Sequence, residues 1–306
     1  EMTVSIHSLE LDYLGVPGAI GAYLVTDGAS NVLIESGPGN TVPALERALG
    51  EHGVQVEDLH ACCLTHIHLD HAGGSGHLAG RGVPIHVHSF GARHIIDPSK
   101  LLASAGRIYG DQMERLWGEL IPSDEAMVHG LDDGDTVRIG DIELRAIETP
   151  GHARHHLVFQ LDTGEETVCF TGDAAAMLIP GTGYVSVPMP PPEFDHPAWL
   201  STIELLRSGP WTKLMLTHGG IIEDIAGHLD QLIASMGRQV EFIKEGLAGN
   251  ADEGDLVESY RDLLRAEAGS LGAEMSQFDD FVTMSLLGMN ISGVKRFLSL
   301  QSGNGH

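Results

Sequence analysis

The chain has 306 residues, enough for one large domain or two ordinary ones. Hydrophobic residues make up 42% of it and charged residues 20%, which is typical of a globular protein with a sizeable core. A formal net charge of −26 with only four lysines argues against a protein that binds nucleic acid or an anionic membrane surface.

The cysteine pattern is not that of a disulfide framework, because the count is odd and Cys62 and Cys63 are adjacent. With Cys169, they lie in apolar segments, so we expect buried free thiols in a reducing compartment. Residues 1–4 lack the basic and then apolar pattern of a signal peptide, and no apolar run reaches the roughly eighteen residues that span a bilayer. These features predict a cytoplasmic protein that does not bind a membrane.

Taken in chain order, the apolar periodicity predicts alternating strands and helices in two successive runs. The first run has strands over 3–9, 21–26 and 31–35, a helix over 41–52, and strands over 60–64 and 83–88. An amphipathic helical stretch over 98–125 is typical of an insertion. The second run has strands over 136–139, 142–149, 156–161 and 167–171, a helix over 197–206, a strand over 213–216, and helices after 222. This order predicts a layered α/β (α+β) protein with a helical C-terminal part.

The densest polar motif is the segment 65–71, Thr-His-Ile-His-Leu-Asp-His, which directly follows an apolar strand. In a continuing strand, period-two geometry would place His66, His68 and Asp70 on one face and His71 on the other. A turn at the carboxyl end of the strand would instead let all four side chains converge. Imidazole and carboxylate groups are the ligands expected for zinc and similar divalent metals, so the motif predicts a metal site.

Three further ligand-capable residues follow predicted strands at similar junctions: His152, Asp173 and His218. Open α/β sheets build their sites where strands end, so these residues are candidates for the same site. One histidine after a strand would be weak support for a metal site. Three such residues beside the dense motif are strong support.

On these motifs, taken in this order, the sequence resembles the metallo-β-lactamase superfamily over residues 3–220. The resemblance implies a four-layer αββα sandwich with metal ions at one edge of the sheets. We accordingly divide the chain into a metallo-β-lactamase-fold catalytic domain over 1–220 and a helical C-terminal extension over 221–306.

The resemblance also implies two divalent metal ions, with Zn²⁺ expected and iron or manganese as alternatives. Seven residues would hold them: His66, His68 and His152 for one ion, Asp70, His71 and His218 for the other, and Asp173 as the bridge between the two. Asp70 would in addition handle a proton in catalysis.

Two further residues are expected beside the ligands. Relatives often carry Asp at the strand end occupied here by Glu35, so Glu35 is expected to support a ligand histidine, although its longer side chain departs from the pattern. An ordinary strand-end carboxylate is the alternative. His155 is expected as a donor close to the metals, with an exposed turn residue as the alternative.

The family hosts several reactions, and the fold alone does not choose among them. We expect a dinuclear metal hydrolase in which a metal-bridged hydroxide attacks a small ester, thioester or lactone, of the glyoxalase II or lactonase kind. The segment after Asp173 lacks the Gly-Cys-Gly-Arg-like sequence associated with glyoxalase II and with persulfide dioxygenases. The first alternative is a mononuclear iron persulfide dioxygenase. The second is a phosphodiesterase or nuclease, which the acidic charge disfavours. A non-enzymatic redox or binding module is the least favoured alternative.

The long Pro- and Gly-rich segment 178–195 is predicted to be a lid over the substrate, with a plain surface crossover as the alternative. Tyr184 within it is a candidate substrate-binding residue. The C-terminal helices are expected either to shape a substrate pocket or to form the interface of a homodimer. The expected partner is a small-molecule substrate, with no nucleic acid.

Overall fold

The computed structural model describes residues 4–249, 252–285 and 287–303. Its strands, in chain order, are β1 (Ser5–Glu10), β2 (Gly21–Thr26), β3 (Asn31–Ile34), β4 (Ala61–Cys63), β5 (Ile85–His88), β6 (Val128–Leu131), β7 (Thr136–Ile139), β8 (Ile142–Glu148), β9 (Leu157–Asp162), β10 (Thr167–Gly172), β11 (Met177–Leu178), β12 (Val185–Ser186), β13 (Lys213–Leu216) and β14 (Ile221–Ile222).

The α-helices, in chain order, are α1 (Val42–Glu51), α2 (Leu69–Ala72), α3 (Ser75–Ala79), α4 (Ser89–Ile96), α5 (Ser99–Tyr109), α6 (Met113–Trp117), α7 (His196–Ser208), α8 (Ile225–Ala248), α9 (Glu253–Ser270), α10 (Met275–Ser285) and α11 (Leu287–Gly303). Among the described residues, no helix combines the length and the apolar character that crossing a bilayer requires.

The chain forms two compact units, each built from several segments. The first comprises Glu1–Thr149, His155–Gly172 and Pro210–Glu223, and the second comprises Pro150–Arg154, Asp173–Gly209 and Asp224–His306. The second unit therefore contains two segments from before residue 220 as well as the C-terminal helices. The predicted domain boundary at residue 220 stays a prediction.

The first unit contains two six-stranded sheets, in the orders β1-β2-β3-β4-β5-β6 and β14-β13-β10-β9-β8-β7. In the first sheet, β3, β4, β5 and β6 are parallel, and in the second sheet β10 and β13 are parallel. The carboxyl ends of parallel neighbours lie at the same edge of a sheet. The residues that follow β3 and β4 are therefore neighbours, as are those that follow β10 and β13.

The inner faces of the two sheets share one apolar core. Alternate residues of β2 and β3, such as Tyr23, Val25 and Ile34, belong to the same buried cluster as Leu144 and Phe159 of the second sheet. This alternation is the period-two pattern of a sheet with one face in the core. The other face of the first sheet is also buried, as Leu24 at 0% exposure shows, which explains why its strands read as continuous apolar runs.

Most predicted elements are confirmed, and three strands match to the residue: β2, β7 and β13. Residue 3, where the first strand was expected to begin, lies outside the described residues. The helical prediction over 98–125 is wrong over residues 118–124, because the helix α6 ends at Trp117 and Gly118 follows with φ +64°. Residues 118–124 have no regular structure.

In the second unit, the segment 178–195 is not the plain surface crossover given as the alternative to a lid, and the lid stays a prediction. Residues 184–190 are all buried, and β12 lies in a two-stranded sheet with β11. Tyr184 is 0% exposed and its ring packs against Phe278 of α10, with ring centroids 6.0 Å apart. Its side chain therefore has no surface for a substrate to touch, which corrects its assignment as a substrate-binding residue.

Candidate metal centre

The predicted motif lies where β4 ends and the chain turns. β3 and β4 pair in parallel with Ile34 opposite Cys63, so Glu35 lies beside the start of the motif. The chain then enters the short helix α2, which His68 precedes directly and which carries Asp70 and His71. Neither a continuing strand nor a long helix forms here, and the turn brings the four motif side chains to one side.

Within the first unit, the ligand-capable atoms lie close together. His66 Nε2 is 2.9 Å from His68 Nδ1. His71 Nε2 is 3.3 Å from His218 Nε2, and Asp70 Oδ2 is 3.4 Å from His218 Nε2 and 3.6 Å from His71 Nε2. The ligand-capable atoms of Asp70, His71 and His218 all lie within 4.8 Å of one another.

The outer nitrogens of these histidines are held by acceptors. His71 Nδ1 donates to Glu35 Oε1 at 2.9 Å, and His218 Nδ1 donates to the carbonyl of Ala19 at 2.6 Å. Each bond fixes the tautomer, so that Nε2 carries the lone pair. The Nε2 atoms of His71 and His218 therefore face each other with lone pairs rather than with protons.

Glu35 is the centre of the supporting contacts. Its carboxylate is 1% exposed, and it accepts hydrogen bonds from the Thr65 hydroxyl at 2.5 Å, the Thr65 amide at 3.2 Å and the Thr217 hydroxyl at 3.2 Å, besides His71. A buried carboxylate needs such partners to offset its desolvation. Because the Thr65 hydroxyl donates to Glu35, its oxygen accepts from His66 Nδ1 at 3.1 Å, which leaves the His66 lone pair on Nε2 as well.

Strand β13, which leads to His218, is anchored from the first sheet. The Tyr23 hydroxyl donates to the carbonyl of Leu216 at 2.5 Å. Burial, and next the charge of Glu35, raise the pKa of Tyr23, so the hydroxyl keeps its proton for this bond. The anchor lies two residues before His218 and limits how far that candidate ligand can move.

The second unit holds the other two predicted ligands, His152 and Asp173. His152 Nε2 lies 3.3 Å from Asp173 Oδ2, and both side chains are nearly completely buried. His152 Nδ1 donates to the carbonyl of Pro188 at 3.0 Å, so this histidine too carries its lone pair on Nε2. Gly151, with φ +138°, lets the backbone of Trp199 come so close that a Cβ at Gly151 would lie 2.3 Å from its Cα.

The donor set fits a divalent cation. In the first unit, the imidazole lone pairs of His71 and His218 face each other at 3.3 Å, beside the Asp70 carboxylate, and His66 Nε2 lies 2.9 Å from His68 Nδ1. Lone pairs repel at such distances unless a cation lies between them, and nitrogen and oxygen donors are those that Zn²⁺ and similar ions prefer. The buried cysteines offer no competing nucleophile, because burial raises the pKa of Cys63 and of Cys169 and keeps both thiols protonated.

His155, expected near the metals, lies in the first unit and is 4% exposed, so it is not an exposed turn residue. Its ring is nearly parallel to that of His66, with centroids 6.1 Å apart, and it stacks on Phe90 at 6.4 Å. His155 therefore packs against a ligand-capable histidine, and its expected role as a donor stays a prediction.

Sequence reasoning missed several supporting groups. The carbonyls of Ala19 and Pro188 carry no side-chain signature, so no motif could reveal them. Thr65 and Thr217 each stand directly before a candidate ligand histidine, which is the one signal that could have pointed to them.

Known proteins with similar sequences belong to the same family that the motifs suggested. The sequence model of the Metallo-beta-lactamase superfamily matches residues 15–218. The chain is 24% identical over 250 residues to Metallo-beta-lactamase fold-containing protein ST1585 of Sulfurisphaera tokodaii, a match that covers 80% of this chain and 90% of that protein. It is 26% identical over 227 residues to an Atrochrysone carboxyl ACP thioesterase of Aspergillus fumigatus, covering 74% of this chain but only 43% of that protein.

A solved structure shares the fold over nearly the whole chain. The metallo-beta-lactamase family protein TTHA1429 from Thermus thermophilus superimposes with a TM-score of 0.71 at 20% sequence identity, covering 98% of this chain and 94% of that one. The chain belongs to the metallo-β-lactamase superfamily, which confirms the predicted family and fold class. With its His and Asp metal-binding groups, it is a metal-dependent hydrolase.

Proposed function

We propose that this hydrolase uses two Zn²⁺ ions to cleave a small ester, thioester or lactone. His66, His68 and His152 would hold one ion, and Asp70, His71 and His218 the other, with Asp173 shared by both. The observation that carries the proposal is the convergence of ligand-capable atoms in each unit, with the outer nitrogens of His71, His218 and His152 already bonded to acceptors. Chain connectivity supports joining the two sets, because Asp173 directly follows Gly172 of β10 and His152 follows Thr149 by three residues.

Two divalent cations bound here would polarise the substrate carbonyl. They would also lower the pKa of bound water, so that hydroxide forms near neutral pH. The chain's own contribution is to hold the donors rigidly and to manage a proton. Of the two carboxylates among the ligands, the Asp70 side chain is 23% exposed and that of Asp173 is 4% exposed. Asp70 can therefore exchange a proton with solvent, while Asp173 is suited to a fixed ligand role.

A thioester is the substrate class that the relatives favour within this group. Two of the fungal relatives are named thioesterases, one at 26% and one at 29% identity over the matched part. Both matches cover less than half of those proteins, so the substrate assignment is part of this proposal. The acidic surface agrees with a small-molecule substrate in the cytoplasm and with no nucleic-acid partner.

The test is a panel of acyl thioesters, esters, lactones and phosphodiesters, assayed with Zn²⁺-loaded protein and with the Asp70→Asn variant. We expect thiol release from thioesters and a loss of about 10²–10⁴-fold in kcat for the variant, since Asp70 both ligates and accepts a proton. An exposed-site control, Asp141→Asn, should keep wild-type rates. Phosphodiester cleavage alone would contradict the proposal.

A further inference from the structure

The C-terminal helix α11 contacts the Pro-rich segment 178–195, and this segment is hydrogen-bonded to the predicted metal ligand His152. Asn290 of α11 is 4% exposed, and its side chain is hydrogen-bonded to the backbone of the Pro-rich segment. Its Oδ1 accepts from the Met189 amide at 2.8 Å, and its Nδ2 donates to the Val187 carbonyl at 2.8 Å. These two bonds flank Pro188, whose carbonyl accepts from His152 Nδ1.

The sequence explains why this segment needs an external partner. Pro188 and Pro190 have no N–H, so Met189 carries the one amide donor of the three residues. A buried amide or carbonyl without a partner costs about 1–3 kcal/mol. One asparagine side chain, which offers a donor and an acceptor side by side, satisfies the groups on both sides of Pro188.

Asn290 is itself held in place. Its Nδ2 lies 3.0 Å from the Tyr260 hydroxyl of α9, and that hydroxyl donates to Gln239 Oε1 of α8 at 2.7 Å. One turn beyond Asn290, Gly293 lets α11 approach so closely that a Cβ there would lie 1.9 Å from the Met189 carbonyl oxygen. Three C-terminal helices thus fix the position of one peptide segment.

We propose that Asn290 is a positioning residue for His152: it fixes the Pro188 carbonyl and thereby the tautomer and the direction of the His152 imidazole. The inference rests on the metal role proposed for His152. It gives the C-terminal helices a task in the metal centre, in addition to their packing. Partners that orient a ligand histidine typically change metal affinity by about 10–100-fold when removed.

The experiment compares Asn290→Ala with Ile291→Ala, a control on the same helix whose buried apolar side chain cannot bond to the segment. Both variants should lower Tm. Metal affinity is measured by a chelator competition that resolves the two ions. Asn290→Ala should lower the affinity for one ion by about 10–100-fold, and it should be the ion whose binding His152→Ala abolishes. Ile291→Ala should leave both affinities unchanged. If Asn290→Ala does not fold, Asn290→Asp keeps the acceptor for Met189 and loses the donor to Val187, and the same shift is expected.

A second readout does not depend on metal. The His152 Nδ1–H proton should give a slowly exchanging imidazole signal in ¹⁵N-histidine-labelled protein, and its exchange should accelerate in the Asn290 variant but not in Ile291→Ala. Equal metal affinity and equal exchange in the two variants would overturn the inference. Wild-type protein that takes up no metal would contradict the proposed function instead, and the exchange rates would still decide whether Asn290 positions His152.

Discussion

The Oε1 atom of Glu35 lies 2.9 Å from His71 Nδ1. The same oxygen accepts from the hydroxyls of Thr65 and Thr217, so one carboxylate joins the ends of β3, β4 and β13. Glu35 adopts φ +68°, a left-handed conformation that costs a non-glycine residue free energy and is often found at functional sites. With this backbone turn, the longer glutamate side chain reaches the histidine.

The first prediction concerns this carboxylate. Glu35→Gln keeps the size of the side chain but removes the charge and an acceptor, so His71 is no longer oriented as firmly. We expect metal affinity to fall by about 10–100-fold, measured by chelator competition. The exposed Glu165→Gln variant is the control. Unchanged affinity in Glu35→Gln would mean that the carboxylate serves folding alone.

The second prediction compares two glycines: Gly172 at the end of β10 and Gly164 in the turn that precedes this strand. Gly172 has φ +47°, and a Cβ there would lie 2.3 Å from Thr65 Oγ1, whereas Gly164 has φ +86° and nothing within 4 Å. In both alanine variants the free energy of unfolding should fall by about 1–2 kcal/mol, because alanine is strained in the left-handed backbone conformation. Gly172→Ala should lose about 1 kcal/mol more from the forced contact, and also metal content, as urea unfolding and metal analysis will show. Equal losses in both variants would contradict this.

The third prediction concerns pH. Burial, and next the stacked His129, lower the pKa of His86 to about 4. Because the folded pKa is below the unfolded value of 6.5, the stability from neutral His86 is fully present above pH 6.5 and is lost as the pH falls toward 4. His86→Gln should therefore lose up to about 2 kcal/mol less free energy of unfolding between pH 8 and pH 5 than wild type does. Parallel losses in the two proteins would contradict it.

The fourth prediction concerns charge. With −26 formal charges and four lysines, the protein should show no binding to DNA or RNA at physiological salt in a fluorescence-anisotropy titration. Submicromolar binding that resists added salt would contradict the small-molecule proposal.

The sequence pointed to the candidate ligands but not to the groups that bond to them. Residues such as His66 and His218 could be found because each follows an apolar strand, and strand ends define the site edge in this fold. Asn290 could not be found, because it lies 101 residues from Met189 and a lone helical asparagine has no motif. A fold-level contact, rather than a local pattern, decides its role.

Tyr184 shows a different limit. Its place shortly after Asp173 suggested contact with a substrate, but nearness along the chain does not decide which way a side chain faces. The segment packs into the second unit, where Phe278 covers the ring. The strand β6 was missed because its sequence, Val-His-Gly-Leu, lacks a clear alternation of apolar and polar residues.

The central claim is a two-metal centre, and the metal-to-protein ratio tests it most directly. Protein purified without added metal should contain about two divalent ions per chain, and His218→Ala should contain about one, with most thioester hydrolysis lost. Glu165→Gln should keep both ions. A ratio near one iron per chain that His218→Ala leaves unchanged, with oxygen uptake on a persulfide substrate, would contradict the account.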